Sequence, residues 1–367
     1  MRIDRLELES FRNYNRQTVD FDPRCNVIFG ENAQGKTNLL EALVYLSCGR
    51  SPRARTDREM IGFDAPAARM SARVLARERE FLVQVDLFRD RRRRMSVNQV
   101  MAKNSAALSG VYQTVFFCPE DLFLIREGAA ARRRFMDTAL CQLRPRYAAA
   151  LAEYGRAYDH KTRILRDAEE RPDLLAALPE FNEQLVCFGA VLVHYRAQFA
   201  ARLGEYAAVH HRECSGGKET LTIQYKTVSS VEDPAANVAV LTERLRRHME
   251  EHQAAERASR LCLSGPHKDD LLVSIDGRDA KQYASQGQTR TAALAMKLAE
   301  REIYHNAFGE YPVLLLDDVL SELDPRRQEF VLNRIAGGQV MITCCEDDRL
   351  PQLLGGKVFH VSQGEIC

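Results

Sequence analysis

One short segment constrains this chain more than any other: Gly30-Glu31-Asn32-Ala33-Gln34-Gly35-Lys36-Thr37. It fits the pattern GxxxxGK[ST], and it lies between an apolar run ending at Phe29 and a stretch of helical periodicity from Thr37 to Leu46. A strand, a glycine-rich turn and a helix in this order are typical of a phosphate-binding loop. The segment therefore predicts an α/β fold that binds the phosphates of a nucleotide.

Each part of this loop has a chemical role. Glycines let successive backbone N–H groups point at the β-phosphate, and the positive end of the following helix adds to the attraction. Lys36 is expected to bridge the β- and γ-phosphates, and the Thr37 hydroxyl is expected to ligate Mg²⁺. We expect the whole loop and the adjacent Asn38 to bind the nucleotide.

A second motif, Val313-Leu314-Leu315-Leu316-Asp317-Asp318, indicates a buried strand that ends in two carboxylates. Asp317 is expected to hold Mg²⁺, directly or through water, and Asp318 to polarise the attacking water as a general base. Two Asp at a strand end can also simply cap the next helix. The phosphate loop in the same chain favours the catalytic interpretation.

Two tetrapeptides flank the second motif. Ser285-Gln286-Gly287-Gln288 precedes a helix predicted from Thr289 to Ile303, and Ser321-Glu322-Leu323-Asp324 follows the paired Asp. Either tetrapeptide alone is an ordinary helix N-cap. In this order, with about 280 residues between the two nucleotide motifs, they resemble the signature motif and the D-loop of the ABC-type ATPases.

The residue composition and the hydrophobic periodicity change twice along the 367-residue chain. Residues 121–260 are rich in Ala, Leu, Glu and Arg at helical spacing, whereas strand-like runs and turns lie on either side. The helical part has no sustained heptads, which argues against a long coiled coil. We predict a split ATPase head, residues 1–120 and 261–367, with an inserted, mainly helical lobe, residues 121–260.

Composition excludes several classes of protein. The chain is 45% hydrophobic and 28% charged, which is typical of a globular domain. It has no uncharged apolar run long enough for a membrane span and no secretory signal, so we expect a cytoplasmic protein without membrane contact. Its ten Cys form no CxxC pair, which indicates free thiols rather than a zinc site.

The net charge of +1 conceals an asymmetry. Residues 1–150 carry 26 Lys and Arg against 18 Asp and Glu, whereas the remainder carries 26 against 33. The basic part can therefore meet DNA phosphates without reading sequence. Candidate contacts lie in a loop and at a predicted hairpin tip: Arg50, Arg53, Arg55, Arg58, Arg91, Arg92, Arg93 and Arg94. The alternative for each is a solvated basic loop, and Arg132 to Arg134 could serve packing or a dimer.

Further segments point to one family: FRNY at Phe11–Tyr14, GENAQGKTN, CPEDL and RRRFMD near residues 118–137, GPHKDD at Gly265–Asp270, SQGQTR and LLLDDVLSELD. Together they resemble the RecF family of bacterial ATPases, which act as mediators in DNA repair and recombination. The resemblance covers nearly the whole chain. It implies an ABC-type head like that of SMC proteins, with a compact helical lobe in place of a long coiled coil.

The resemblance also implies how ATP is used. Two copies would associate head to tail around two nucleotides, with Ser285–Gln288 of one copy reaching the γ-phosphate held by the other. Arg12 and Asn13 would lie near the base and ribose. ATP would then hold a homodimer together, because its charged phosphates accept hydrogen bonds from donors of both copies.

Partners and biological role follow from the resemblance alone. It implies that the protein binds double-stranded and gapped DNA at the nucleoid. It also implies that the protein assists recombinase loading in repair, in replication restart and in the SOS response. RecR, acting with RecO, is the implied protein partner. Two departures from the ABC pattern predict a weak, DNA-dependent ATPase: Asp318 stands where Glu is usual, and Thr343-Cys344-Cys345 replaces the switch His. Gln113 is the candidate for the Q-loop residue.

Two other functions fit parts of the sequence. An SMC-like ATPase that tethers DNA would share the fold, although the missing coiled coil counts against it. A P-loop kinase for small molecules would share the phosphate loop, but it should be shorter and act as a monomer.

Overall fold

The computed structural model describes residues 1–345 and 356–366, and within them the chain packs as two compact units. The first unit comprises Met1–Leu122 and the described residues from Lys297 onward, and the second comprises Phe123–Met296. None of the helices in these residues combines the length and the apolar character that crossing a membrane requires.

The predicted division into a head and a lobe remains a prediction, and part of the predicted head, residues 346–355 and 367, lies outside the described residues. The packing differs from it at one segment. Residues 261–296, assigned to the head from their α/β texture, group with the second unit. The physical reason is strand pairing, because the strand Asp270–Ile275 pairs along its length with Leu221–Lys226 of the middle segment.

The strands, in chain order, are β1 (Arg2–Phe11), β2 (Tyr14–Asp20), β3 (Cys25–Phe29), β4 (Ala67–Ala76), β5 (Arg79–Phe88), β6 (Arg94–Val97), β7 (Val100–Met101), β8 (Thr114–Phe117), β9 (Leu221–Lys226), β10 (Asp270–Ile275), β11 (Arg278–Asp279), β12 (Val313–Asp317), β13 (Val340–Cys344), β14 (Lys357–Ser362) and β15 (Glu365–Ile366). The helices are α1 (Lys36–Cys48), α2 (Ala106–Ser109), α3 (Ala129–Leu143), α4 (Pro145–Asp167), α5 (Leu178–Cys214), α6 (Val238–Ser259), α7 (Ala280–Tyr283), α8 (Gln286–Phe308) and α9 (Pro325–Arg334).

The first unit contains two six-stranded sheets. One is antiparallel, in the order β2-β1-β4-β5-β6-β7, and the other has the order β15-β14-β3-β13-β12-β8. In the second sheet β14, β3, β13, β12 and β8 are parallel, so their carboxyl ends lie along one edge. The strands β3 and β12, which precede the two nucleotide motifs, therefore deliver those motifs to the same edge.

Helix α1 is apolar nearly all round, and the structure buries it completely from Leu39 to Cys48. A helix of this kind needs cover on several faces. Leu39, Leu40 and Leu43 share one core with side chains of both sheets, such as Leu6 and Leu315. Because α1 begins at Lys36, this core fixes the position of the phosphate loop.

The second unit is mainly helical, as the periodicity of residues 121–260 predicts. Helices α4 and α6 pack against the long helix α5, and β9 also packs on α5. The strands β11, β10 and β9 form a small antiparallel sheet. Helix α8, which follows the tetrapeptide at Ser285, begins at Gln286 and continues past the boundary between the units.

Candidate nucleotide-binding site

The phosphate loop already has the curled backbone that phosphate binding requires. Gly30 and Gly35 have positive φ angles of 154° and 123°. A Cβ on Gly30 would collide with the carbonyl oxygen of Val361, so no other residue fits there without a backbone shift. Lys36 is buried, and its Nζ donates to the carbonyl oxygens of Gly30 at 2.5 Å and Glu31 at 2.9 Å. The ammonium group is therefore held across the mouth of the loop.

Asn13, in the turn after β1, supports the loop from one side. Its Nδ2 donates to the carbonyl oxygen of Gln34 at 2.8 Å, and its Oδ1 accepts from Asn38 Nδ2 at 2.8 Å. On the other side, the turn between β14 and β15 donates the Gly364 N–H to the same Gln34 carbonyl at 3.1 Å. Glu31, Asn32 and Ala33 at the tip of the loop remain exposed.

The structure brings the two motifs together at the edge of the parallel sheet. The Thr37 hydroxyl donates to Asp317 Oδ1 at 3.0 Å, and the Thr343 hydroxyl donates to the same oxygen at 2.8 Å. Burial raises the pKa of the Asp317 carboxyl, and the two hydroxyl donors oppose that shift. A hydroxyl and a carboxylate in contact are the oxygen donors with which a protein holds Mg²⁺ beside phosphates, so these residues fit that ion.

Asp318 adopts a left-handed backbone conformation, with φ 53°, directly after β12. Its N–H donates to the Thr343 hydroxyl at 2.9 Å, and its Oδ1 accepts from the Ser321 hydroxyl at 3.1 Å. Asp318 thereby contacts the D-loop tetrapeptide, whereas the Asp317 carboxylate contacts Thr37 and Thr343. The two neighbouring carboxylates therefore have separate environments, which different roles in catalysis require.

The sequence shows Cys345 only as part of a segment that lacks the usual switch His, but the structure places it inside the site. Its Sγ lies 3.8 Å from Lys36 Nζ, 3.5 Å from Asp318 Oδ2 and 2.9 Å from Asn32 Oδ1. Burial raises the pKa of this thiol, and the Asp318 carboxylate raises it further. Cys345 follows β13, which lies between β3 and β12, and strand order of this kind is not visible in a sequence.

Arg12 lies beside the loop, and the structure shows what occupies its guanidinium group. Two of its nitrogens donate to the buried carboxylate of Glu41 at 2.8 and 2.9 Å, and the third donates to the carbonyl oxygen of Glu59 at 2.7 Å. The Ser51 hydroxyl donates to the same carboxylate. Arg12 therefore connects α1 to the loop before β4.

The structure does not support Gln113 as the Q-loop residue. Gln113 is buried and precedes β8, at the edge of the sheet opposite the phosphate loop, and its Nε2 donates to the carbonyl oxygen of Ser109 at 2.5 Å. The segment at the phosphate-loop edge is the CPEDL turn, which follows β8. There Cys118 donates its backbone N–H to Asp121 Oδ2 at 3.1 Å.

The tetrapeptide Ser285–Gln288 lies in the second unit, where it forms the amino-terminal end of α8. The Ser285 Oγ accepts from the Gln288 N–H at 3.2 Å, and the Gln288 side chain accepts from the Ser285 N–H at 2.8 Å, which is a capping box. Gln288 Nε2 also donates to Glu219 at 2.9 Å. No local pattern singles out Glu219, because it is distant along the chain. Ser285 and Gln286 remain exposed, and Gly287 is partly buried.

Comparisons with known proteins assign the chain to a family. Residues 2–363 match the model of the RecF/RecN/SMC N terminal domain. The DNA replication and repair protein RecF of Agathobacter rectalis is 37% identical, over 100% of this chain and 99% of that protein. The protein of the same name from Bacillus subtilis is 36% identical, over 100% of both. The chain belongs to the RecF family. The resemblance seen in its motifs is therefore confirmed.

Solved structures confirm the fold. A structure of the recombination mediator protein RecF with ATP, in the RecFOR pathway, superposes with a TM-score of 0.90 and 31% identity, covering 100% of this chain and 96% of that one. The Smc head domain of Pyrococcus furiosus, with an extended coiled coil, has a TM-score of 0.55 at 16% identity, covering 99% of this chain and 94% of that one. The predicted ABC-type head fold, shared by RecF and Smc heads, is thus observed.

Two RecF-family motifs are parts of one buried network in the second unit. Arg132, in the RRRFMD segment, makes a paired contact with Asp270 of GPHKDD at 2.8 and 2.9 Å. Arg196 of α5 bridges Asp137 of the first motif and Asp269 of the second, each at 2.8 Å. Arg132 is thus a packing residue. Paired buried charges of this kind must stay together, because breaking one pair leaves an uncompensated charge.

The arginines predicted to contact DNA divide into two groups. Arg93 is engaged within the first unit, because its Nη1 donates to the Tyr45 hydroxyl at 2.5 Å and to the Gly49 carbonyl at 2.8 Å and lies 3.3 Å from Asp57. The others are exposed or partly exposed: Arg50, Arg53, Arg55, Arg58, Arg91, Arg92 and Arg94. Arg91 covers the ring of Phe88, with its guanidinium carbon 3.9 Å from the centroid.

Proposed function

We propose that this RecF-family chain is an ATP-dependent DNA-binding recombination mediator, which ATP assembles into a dimer on double-stranded DNA near single-strand gaps. The observation that carries the proposal is the 3.0 Å contact between Thr37 and Asp317. It joins a phosphate loop and a carboxylate pair that are about 280 residues apart, at the place where ATP and Mg²⁺ would bind together.

In the proposed mechanism, the loop N–H groups and Lys36 bind the β- and γ-phosphates. Thr37 and Asp317 would hold Mg²⁺, which would supply positive charge to the phosphates. Asp318 accepts a proton from the attacking water. An Asp side chain is one methylene shorter than Glu, so its reach to the water is poorer and hydrolysis is slow. ATP hydrolysis then resets a clamp on DNA rather than driving a motor.

The signature motif supplies the dimer contact. Ser285 is exposed at the start of a 23-residue helix whose positive end attracts phosphate, and the capping box holds its hydroxyl in place. In the proposed sandwich this end of one copy meets the γ-phosphate bound by the other copy. Each nucleotide then binds both subunits, which makes dimerisation depend on ATP.

The exposed arginines of the first unit supply phosphate contacts to DNA, which are strong at low salt and independent of sequence. The relatives' names and the RecFOR pathway named with the solved structure support a role in replication and repair. The proposal adds RecR and RecO as partners, and a place at the nucleoid in the cytoplasm. The SMC-like tether remains the rival, and it requires the same ATP chemistry without any effect on recombinase loading.

The proposal is tested by sedimentation of the whole chain with and without ATP, Mg²⁺ and gapped duplex DNA. We expect a monomer without ATP, a dimer with ATP and Mg²⁺, and a dimer–DNA complex when all three are present. A recombinase-loading assay on gapped DNA then separates a mediator from a tether. A protein that stays monomeric with ATP on DNA would contradict the proposal.

Asp318→Asn should stop hydrolysis and prolong the life of the ATP dimer on DNA. Asn has nearly the shape of Asp and tolerates the left-handed φ of 53°, so the turn is retained while the proton acceptor is removed. We expect the hydrolysis rate to fall by about 10²-fold or more, which is the usual contribution of a general base. The measurement is phosphate release together with dissociation from labelled DNA. Unchanged hydrolysis, or faster dissociation, would contradict the role of Asp318.

Replacing Arg91, Arg92 and Arg94 by Ala should weaken DNA binding without reducing stability. Removing one arginine–phosphate interaction reduces the slope of log affinity against log salt by about 1. Arg93→Ala is the matched control: it removes internal hydrogen bonds and should lower the free energy of unfolding by about 1–3 kcal/mol while it leaves that slope unchanged. Fluorescence anisotropy at several salt concentrations, with thermal unfolding, tests both. An unchanged slope in the triple variant would assign these side chains to solvent.

A further inference from the structure

The hairpin of β14 and β15 continues past the end of β3 and lies against the phosphate loop. β14 pairs in parallel with β3 as far as His360 and Phe29, so its last residues accompany the loop that begins at Gly30. The carbonyl oxygen of Val361 approaches Gly30 so closely that a Cβ on this glycine would collide with it. None of the nucleotide motifs recognised in the sequence includes this hairpin.

Two residues form the turn of the hairpin, and both have left-handed backbone conformations. Gln363 has φ 50° and Gly364 has φ 78°, as in a type I′ turn. Gly, Asn and Asp are the residues that favour such positions, and Gln is not among them. A residue of this kind keeps a positive φ only where the surrounding structure holds it. Here the phosphate loop is part of those surroundings.

Both N–H groups of this turn donate to Gln34 of the phosphate loop. The Gln363 N–H donates to the side-chain Oε1 of Gln34 at 2.6 Å, and the Gly364 N–H donates to the Gln34 carbonyl oxygen at 3.1 Å. Asn13 Nδ2 donates to the same carbonyl oxygen at 2.8 Å. This carbonyl group therefore accepts two hydrogen bonds from outside the loop, and they fix its orientation.

The orientation of this carbonyl group determines that of the next N–H group. The peptide between Gln34 and Gly35 is trans, and in a trans peptide the C=O and the N–H point in opposite directions. Because the Gln34 carbonyl is held toward the hairpin, the Gly35 N–H points away from it, to the side on which phosphate is proposed to bind. Gly35 has no side chain to restrict rotation of this peptide, so the hydrogen bonds to Gln34 provide the restriction.

The hairpin is itself fixed to both sheets of the first unit. The side chains of Phe359 and Val361 in β14 are buried in the core that surrounds α1. The backbone N–H and carbonyl oxygen of Ile366 in β15 contact the side-chain amide of Gln17 in β2, at 3.4 and 3.5 Å. A loop held by such a fixed support loses less entropy when a ligand binds, which increases affinity.

We propose that the β14–β15 hairpin positions the phosphate loop for the triphosphate, with Gln363 and Gly364 as positioning residues that act through Gln34. This inference rests on the proposed binding of ATP to the loop and deepens it. The contacts use backbone N–H groups, so no pattern of side chains in the sequence indicates them. The proposal predicts that a change confined to the hairpin turn weakens ATP binding.

Gly364→Ala tests this prediction. A Cβ on Gly364 would lie 2.3 Å from the carbonyl oxygen of Asn13, so the turn must shift relative to the loop. We expect the affinity for ATP and for inorganic triphosphate to fall by about 5- to 30-fold, because two hydrogen bonds to Gln34 weaken. Calorimetric titration of the whole chain with each compound measures the loss, and thermal unfolding checks the fold.

Gly277→Ala is the matched control. Gly277 has φ 75° in the turn between β10 and β11, and among the described residues an added Cβ there has open space. The variant therefore has the same unfavourable backbone conformation for Ala as Gly364→Ala, without displacing a neighbour. It should bind ATP and triphosphate as the wild type does.

Gln34→Ala provides a second test that adds no atom to the structure. It removes the oxygen that accepts from the Gln363 N–H, and we expect ATP affinity to fall by about 2- to 10-fold. If both variants act through the same contacts, the double variant should lose less affinity than the product of the two single losses. Losses that multiply fully would show that the hairpin does not act through Gln34.

Two further results would overturn the proposal, and they are distinguishable. A folded Gly364→Ala protein that binds ATP with the wild-type affinity would show that the hairpin does not position the loop, while ATP binding itself stands. If the wild-type chain binds neither ATP nor triphosphate, the proposed function fails and the role of the hairpin fails with it.

Discussion

Lys36→Met should weaken ATP binding strongly while leaving the fold in place. Lys36 Nζ is the cation at the mouth of the phosphate loop, and in the structure it is held by the carbonyl oxygens of Gly30 and Glu31. Met has a similar length and no charge, so it fills the same space without binding phosphate. We expect the affinity for ATP to fall by on the order of 10²- to 10³-fold, because hydrogen bonds between charged groups contribute about 1.5–3 kcal/mol each.

Calorimetric titration with ATP and Mg²⁺ measures this effect, and thermal unfolding checks the fold. Lys103→Met is the matched control, because Lys103 is an exposed Lys of the same unit outside the site. It should bind ATP as the wild type does. A folded Lys36→Met variant with the wild-type affinity would show that the loop does not bind the triphosphate.

Ser285→Arg should leave ATP binding intact and block the ATP-dependent dimer. Ser285 is exposed and caps α8, at the surface proposed to meet the γ-phosphate of the other copy. A long side chain there does not fit in a close interface. We expect dimerisation to weaken by about 10- to 100-fold or more, from overpacking and from removal of the hydroxyl.

Loss of a helix cap could by itself disturb the second unit, so the control is a second cap. Asn237 caps α6 of the same unit and accepts from the Val240 N–H at 3.0 Å. Asn237→Arg should cost about 1 kcal/mol of stability, as Ser285→Arg does, but should still dimerise with ATP. Sedimentation with ATP compares the two variants. A Ser285→Arg protein that dimerises normally would refute the sandwich arrangement.

Much of the site follows from sequence because its chemistry is encoded by local segments. The residues from Gly30 to Thr37 adopt the loop predicted for them, since positive φ angles require glycine at Gly30 and Gly35. Asp317 ends a fully buried strand as the apolar run predicts. Helix α1 and strand β12 begin and end within a few residues of the expected positions.

Local patterns mislead where long-range packing decides. Gln113 has a suitable residue type for the Q-loop, but it stands before β8 rather than after it, at the wrong edge of the sheet. Residues 261–296 have strand and turn patterns like those of the ATPase core, yet they group with the second unit, and β10 within them pairs with β9. The local sequence pattern is the same in the ATPase core and in the second unit, so only strand pairing shows to which of them the segment belongs.

The arginines also show that local sequence does not determine tertiary contacts. Arg91 to Arg94 are four identical residues in a row, and nothing in the sequence distinguishes them. The fold gives Arg93 partners in Tyr45, Gly49 and Asp57 and leaves its neighbours exposed. Arg91 to Arg93 lie in the connection between β5 and β6, outside the regular alternation of a strand, so long-range contacts decide which of them is engaged.

The ABC-type fold, the phosphate loop and the carboxylate pair could all be inferred from the amino-acid sequence, because each depends on local motifs whose backbone geometry and chemistry are set by adjacent residues. Other features required the folded chain: Cys345 contacts both Lys36 and Asp318, and Glu219 accepts a hydrogen bond from Gln288. These contacts join residues that are distant along the chain. They form because strand pairing and the shared core around α1 bring separate loops together.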